Sequence, residues 1–141
     1  MHDSYSGALA GTGSTGHALP APNTFGAFAG HLRLSPGDTD RSSMARGIER
    51  GLWVTRFHYV NIADPKRAIL TGMTRDGTFL IEHGERTRPV RNLRFTQSVP
   101  QALSSVRAIA SETKSVESFL GADVVPAVVI DGFTFTSATV G

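Results

Sequence analysis

The chain has no cysteine, which excludes disulfide frameworks, thiol catalysis and thiolate metal sites together. Lysine is nearly absent too: the 14 basic residues comprise two lysines and 12 arginines. Set against 12 acidic residues they leave a net charge of +2. So small an excess gives no strong surface field and speaks against nucleic acid as a partner. No apolar run approaches the roughly 20 residues of a membrane span. The opening Met1-His2-Asp3-Ser4-Tyr5 lacks the basic and apolar regions of a secretory signal. The expectation is a soluble, cytoplasmic protein with no membrane partner. Charged residues make up only 18% of the chain, below the usual share of about 25%. With 40% hydrophobic residues over a length of 141, enough apolar material is present for one folded core.

Residues 1–30 are rich in Gly, Ser, Ala and Pro and read as an extended or loose lead-in, continuing from a domain upstream. Residues 31–141 read as the folded β domain. Asp40 or Ser42 can cap a short helix through Met44, Ala45 and Ile48 that stops at Gly51. Residues 53–62 are dense in aromatic and β-branched side chains and predict a strand, apolar on both faces and therefore central. Asp64-Pro65 turns into a second strand over 67–71, and Arg75-Asp76-Gly77 turns again into a third over 78–82. His83-Gly84 is a two-residue hairpin loop leading into a fourth strand, which Pro89 ends. Leu93 and Phe95 alternate with Asn92, Arg94 and Thr96, as in a half-buried strand. Ser98 and Gln101 predict a capping box that opens a longer helix to about Glu112, burying Val99, Leu103, Val106 and Ala110. An exposed connection over 114–123 follows. Then Asp131-Gly132 predicts a hairpin between 124–130 and 133–136, with Pro126 at an edge or bulge. The fold class is mainly β (α+β): an antiparallel β-meander and hairpins in a sandwich- or barrel-like domain, with one short and one longer helix.

Few residues carry a spacing that dictates chemistry. His2, His17, His31, His58 and His83 include no pair spaced for one helix face, so no metal site follows from spacing. Gly11-Thr12-Gly13-Ser14-Thr15-Gly16 has the composition of a phosphate loop but neither a preceding strand nor a Gly-Lys-Ser/Thr ending. No Gly-x-Ser-x-Gly elbow is present to position a serine nucleophile. Arg86, Arg88, Arg91 and Arg94 form the one basic cluster, beside Phe95. Such a cluster suits a stand-alone binding protein contacting DNA or an acidic partner; the alternative is a solvated sheet face whose charges discourage edge pairing. In Thr71-Gly72-Met73-Thr74-Arg75-Asp76-Gly77, two glycines bracket a polar loop with a cation and a carboxylate. That composition suits holding an extended peptide or a neighbouring subunit, through Thr71, Gly72, Thr74, Arg75 and Asp76; the alternative is an elaborate hairpin loop. A catalytic constellation of His58, Arg75 and Asp76 is a third reading.

Three stretches together resemble one family: residues 51–61 (Gly-Leu-Trp-Val-Thr-Arg-Phe-His-Tyr-Val-Asn), residues 70–85 with their Thr-Gly segment and Ile-Glu-His-Gly-Glu hairpin, and residues 89–96, which begin Pro-Val. In this order they are similar to the C-terminal domain of the TldD/PmbA family. Ser14 to Pro20, Val125-Pro126-Ala127 and Phe133-Thr134-Phe135-Thr136 look like it as well, so the likeness covers nearly the whole chain and makes 31–141 a TldD/PmbA-like C-terminal β domain. The resemblance implies an antiparallel β architecture and a cytoplasmic zinc metallopeptidase system. Two related subunits of that system assemble around a chamber that processes peptides, and the family also carries the label of modulators of DNA gyrase. It implies further that zinc belongs to a partner subunit or a missing domain. The family's His-Glu-x-x-x-His helix lies upstream of the matched region, and its C-terminal cysteine ligand has no counterpart in a chain without cysteine. No catalytic or metal-binding residue carries across, so this chain alone is expected not to hydrolyse peptides. Its expected role is assembly and peptide positioning for proteolysis.

Overall fold

The computed structural model describes residues 1–118 and 121–138. In chain order the elements are α1 (Ser4–Leu9), β1 (Arg50–Asp64), β2 (Ile69–Glu82), β3 (Glu85–Pro89), β4 (Leu93–Ser98), α2 (Val99–Ser104), β5 (Val106–Ser118), β6 (Gly121–Ile130) and β7 (Phe135–Ala138). A single 3-10 turn at Arg41–Ser43 precedes β1. The architecture is mainly β, in agreement with the sequence, and its two α-helices are both short. One sheet runs β1-β2-β4-β7 with β3 also paired to β2, and β5 pairs with β6 in a second. Among the described residues neither sheet closes into a barrel.

The chain forms two units. The smaller comprises 1–35 and 113–126, the larger 36–112 and the described part of 127–141. In the smaller unit the glycine-rich start is not wholly extended. Asp3 and Ser6 cap α1 reciprocally, and Leu32 and Leu34 exchange backbone hydrogen bonds with Val124. In the larger unit the buried apolar side chains are Met44, Leu80, Ile81, Phe95, Ala102 and Ala110.

Where the sequence suggests a meander of short strands, β1 and β2 are a single hairpin of two long ones, 15 and 14 residues. At its tip, Asp64 Oδ1 accepts from the backbone N–H groups of Lys66 and Arg67 at 3.0 and 3.2 Å. Arg75-Asp76-Gly77 is not a turn but a bulge inside β2. Val54 opposes Thr78 and Arg56 opposes Arg75, so Thr55 alone faces the two bulged residues. Asp76 and Gly77 take φ of +59° and +115°, and that left-handed conformation bends the strand without ending it. The His83-Gly84 loop is the expected two-residue turn, with φ of +51° and +82° and Glu82 opposite Glu85.

Other expectations are corrected by partners distant in sequence. The strand over 53–62 exists, extended to 50–64, but it lies at the sheet edge, and β2 is the central strand. β2 presents the small buried residues Gly72, Thr74 and Thr78, which leave room for neighbours on both sides, whereas β1 keeps Tyr59 and Ile62 exposed. The short helix at 40–51 is reduced to the 3-10 turn, where Asp40 Oδ1 accepts from the Ser42 N–H at 2.7 Å; Gly51 lies within β1. These bonds to Ser42 hold the Asp40 carboxyl below the usual range. The longer helix ends at Ser104, and Val106, Ala110 and the supposed connection through Ser118 belong to β5. Two causes combine. The Ser104 hydroxyl donates to the Gln101 carbonyl at 2.9 Å, satisfying the helix end locally. Beyond it Val106, Ile109, Thr113 and Val116 favour extended backbone, and β5 finds pairing with residues 37–39 as well as β6. Leu103 is exposed rather than buried. Asp131-Gly132 makes no hairpin: it links β6 to β7, which lie in different sheets. Pro126 sits on a strand of a two-stranded sheet, where a missing donor costs little.

A Cβ on Gly72 would stand 2.7 and 2.8 Å from two carbons of the Phe95 ring. Gly72→Ala is therefore expected to destabilise the fold by about 1–3 kcal/mol through overpacking, read from the urea midpoint. The Thr78 hydroxyl, on a residue 2% exposed, has no hydrogen-bond partner among the described residues. Thr78→Val should raise stability by about 1 kcal/mol, because it removes a desolvated hydroxyl while keeping the shape.

Candidate functional site

Directly opposed residues of antiparallel strands share a face, so the register sorts the candidate residues. Phe57 opposes Thr74 and Gly72 opposes Phe95, which defines one face, rich in aromatics. His58 opposes Met73, which opposes Arg94, and Arg56 opposes Arg75; these lie on the other face, rich in arginine.

On the aromatic face the Phe95 ring covers Gly72 and lies 4.5 Å from Phe57 and 5.5 Å from Phe133, centroid to centroid. Phe57 and Phe133 stack at 5.4 Å. These three rings border an apolar groove of about 160 Å³ with Val60, Leu70 and Leu103. Phe57 and Val60 of its lining belong to β1, and among the described residues no strand pairs with the outer edge of β1. Phe57, Val60 and Leu103 are 40%, 47% and 61% exposed, a concentration of apolar surface that solvent alone does not favour.

The five residues expected to contact a peptide or subunit divide into two groups. Thr71, Gly72 and Thr74 hold β2 to β4. The Thr71 hydroxyl donates to the Phe95 carbonyl at 2.9 Å. Thr74, fully buried, accepts from the Leu93 N–H at 2.9 Å. Arg75 and Asp76 are on the surface. The bulge turns the Asp76 carboxylate toward the arginine face, where it pairs with Arg56 Nε and lies 3.7 Å from Arg75 Nε. Arg56 thus belongs with Arg75 and Asp76. In the sequence it is one of several polar residues, with Thr55, His58 and Asn61, in a strand dense in aromatic and β-branched side chains, and only recognition of Asp76-Gly77 as a bulge opposite Thr55 could have singled it out. His58 shares the face, but its ring packs on Tyr59 at 4.3 Å. Among the described residues no hydrogen bond or ion pair joins it to Arg75 or Asp76.

The four clustered arginines do not form one patch. Arg86 opposes Ile81 on the aromatic face, its guanidinium 5.0 Å from the Phe79 centroid and 5.7 Å from that of Trp53. Arg94 lies on the opposite face. Arg88 and Arg91 are exposed. Among the described residues no three His, Asp or Glu side chains come together as a metal ion requires.

Comparison with known proteins agrees with this fold. The family described as "PmbA/TldA metallopeptidase C-terminal domain" matches residues 1–137. Among solved structures, TldE from Thermococcus kodakarensis superposes with a TM-score of 0.75 at 19% identity, over 94% of this chain and 30% of that one. A protein from Thermotoga maritima MSB8, named as a candidate modulator of a DNA gyrase, gives 0.75 at 16% identity, over 93% and 28%. This chain thus spans less than a third of the length of either structure. No curated protein matches it.

Arg86 engages two rings at once, so Arg86→Ala is expected to cost about 0.5–2 kcal/mol in a denaturant melt. Arg88→Ala, at an exposed position with no such stacking among the described residues, should change stability by less than about 0.5 kcal/mol.

Proposed function

The chain belongs to the PmbA/TldD family through its C-terminal domain, and we propose that it works as that module of a metallopeptidase-related protein, assembling with a related subunit and positioning peptides for proteolysis in the cytoplasm. In this reading zinc is held by the partner subunit or by another domain, and the residues here bind and orient. The observation that carries it is the β1 margin. There the strand that lends Phe57 and Val60 to the groove, bordered also by Leu103 and Phe133, has no partner strand on its outer edge among the described residues. A free edge offers backbone donors and acceptors to an incoming strand, and adjacent apolar pockets take its alternate side chains. Arg75 and Asp76 supply exposed charge on the same hairpin, while Thr71, Gly72 and Thr74 act by setting the β2–β4 spacing. A DNA or acidic-partner surface made of Arg86, Arg88, Arg91 and Arg94 is disfavoured by the register, which puts Arg86 and Arg94 on opposite faces.

Native mass spectrometry of the protein purified from its own cells tests the proposal. A complex with a larger, zinc-containing subunit is expected, and a chain that arrives alone and metal-free would sink the assembly role. Replacing Arg75 and Asp76 together with alanine should weaken assembly or peptide turnover about tenfold, the equivalent of ~1.4 kcal/mol, with circular dichroism unchanged. Full assembly and turnover in that variant would remove these residues from the contact surface.

A further inference from the structure

The arginine face carries a feature that the assembly reading uses only in part, through Arg75 and Asp76. Arg56 and Arg75 are held from one side by Asp76, each through Nε. An arginine has five N–H donors in a fixed fork, and among the described residues nothing engages the terminal amino groups of Arg56, Arg75 or Arg94. Side chains of Arg56, Arg75 and Asp76 are 55%, 48% and 51% exposed, and Arg94 is exposed as well. Arg94 opposes Met73, two residues along β2 from Arg75, so the two arginines are diagonal neighbours about 7–8 Å apart in cross-strand geometry. Asp76 therefore does two things: it fixes two guanidiniums side by side, and it cancels one of the three positive charges.

We propose that Arg56, Arg75 and Arg94 form a subsite for an acidic peptide segment in extended conformation, taking two carboxylates from alternate residues. Alternate side chains of an extended chain repeat at about 6.6–6.8 Å, close to the step from the Arg56–Arg75 row to Arg94. Paired arginines match a carboxylate in two-point geometry. The peptide is favoured over a nucleic acid by the charge pattern. A polyanion binder lays cations along a groove that follows several phosphates, whereas this patch is compact, contains a carboxylate and belongs to a chain of net charge +2. The inference rests on the peptide-positioning role and names the kind of peptide that this face selects.

Fluorescence anisotropy of the 141-residue chain with a labelled octapeptide of alternating Glu and Thr tests it, beside the same peptide with Gln for Glu and a single-stranded DNA octamer. The glutamate peptide should bind about tenfold more tightly than the glutamine peptide, and the difference should shrink between 20 mM and 300 mM salt, as charge screening requires. Arg94→Gln should weaken the glutamate peptide about fivefold with the thermal midpoint unchanged, and Arg94→Lys should restore part of that loss. Equal affinity for the two peptides, no binding of either, tighter binding of the DNA, or an unaffected Arg94→Gln variant would each overturn the subsite. Assembly with a zinc-bearing subunit is read separately, by mass. Intact assembly without peptide selection sinks this inference alone; selective binding without assembly sinks the earlier reading alone.

Discussion

The ring of Phe95 rests on the backbone of Gly72, and most of the larger unit is arranged around that approach. Because Gly72 has no side chain, β4 can bring an aromatic ring close against β2, and Phe57 and Phe133 then pack around it at 4.5 and 5.5 Å. Thr71 and Thr74 reinforce the same junction with hydrogen bonds to the Phe95 carbonyl and the Leu93 N–H. β2 thereby becomes the central strand, and β1, despite its apolar content, remains at the margin. The groove beside β1 is a direct result, since the three rings that build it are positioned by this one contact.

A second constraint separates the two faces. The bulge at Asp76-Gly77 adds a residue to β2 and turns a carboxylate to the side where Arg56 and Arg75 already stand. One face of the hairpin thus presents rings and an apolar groove, and the other presents fixed arginines. Each has its own kind of recognition, the first by burial of apolar area and the second by charge and hydrogen-bond geometry.

Much of the fold was legible, and what was not has a common cause. The strand over 53–62 follows from local density of β-branched and aromatic residues, and the His83-Gly84 turn from a dipeptide whose conformation is settled within two residues. The centrality of β1, the length of α2 and the destination of β7 depend on partners from 21 to 71 residues away, which no short window contains. Asp76-Gly77 shows the limit most clearly. Its left-handed conformation could be read from composition, but a turn and a bulge need the same residues and differ only in whether a partner strand continues alongside. The same holds for the candidate site. Arg75 and Asp76 were legible as exposed charges. Thr71, Gly72 and Thr74 looked like loop because small polar residues also suit a strand covered by rings. Arg56 gave no signal of its own.

The β1–β2 ladder is irregular at three places: between Val54 and Arg56, between His58 and Asn61, and between Ile62 and Asp64. A regular hairpin can slide by two residues and keep the same side chains on each face. Here a slide would ask different residues to take the left-handed conformations now held by Tyr59, Asp76 and Gly77. The irregularities work like the wards of a lock, admitting one alignment of two long strands whose side chains alone would tolerate several.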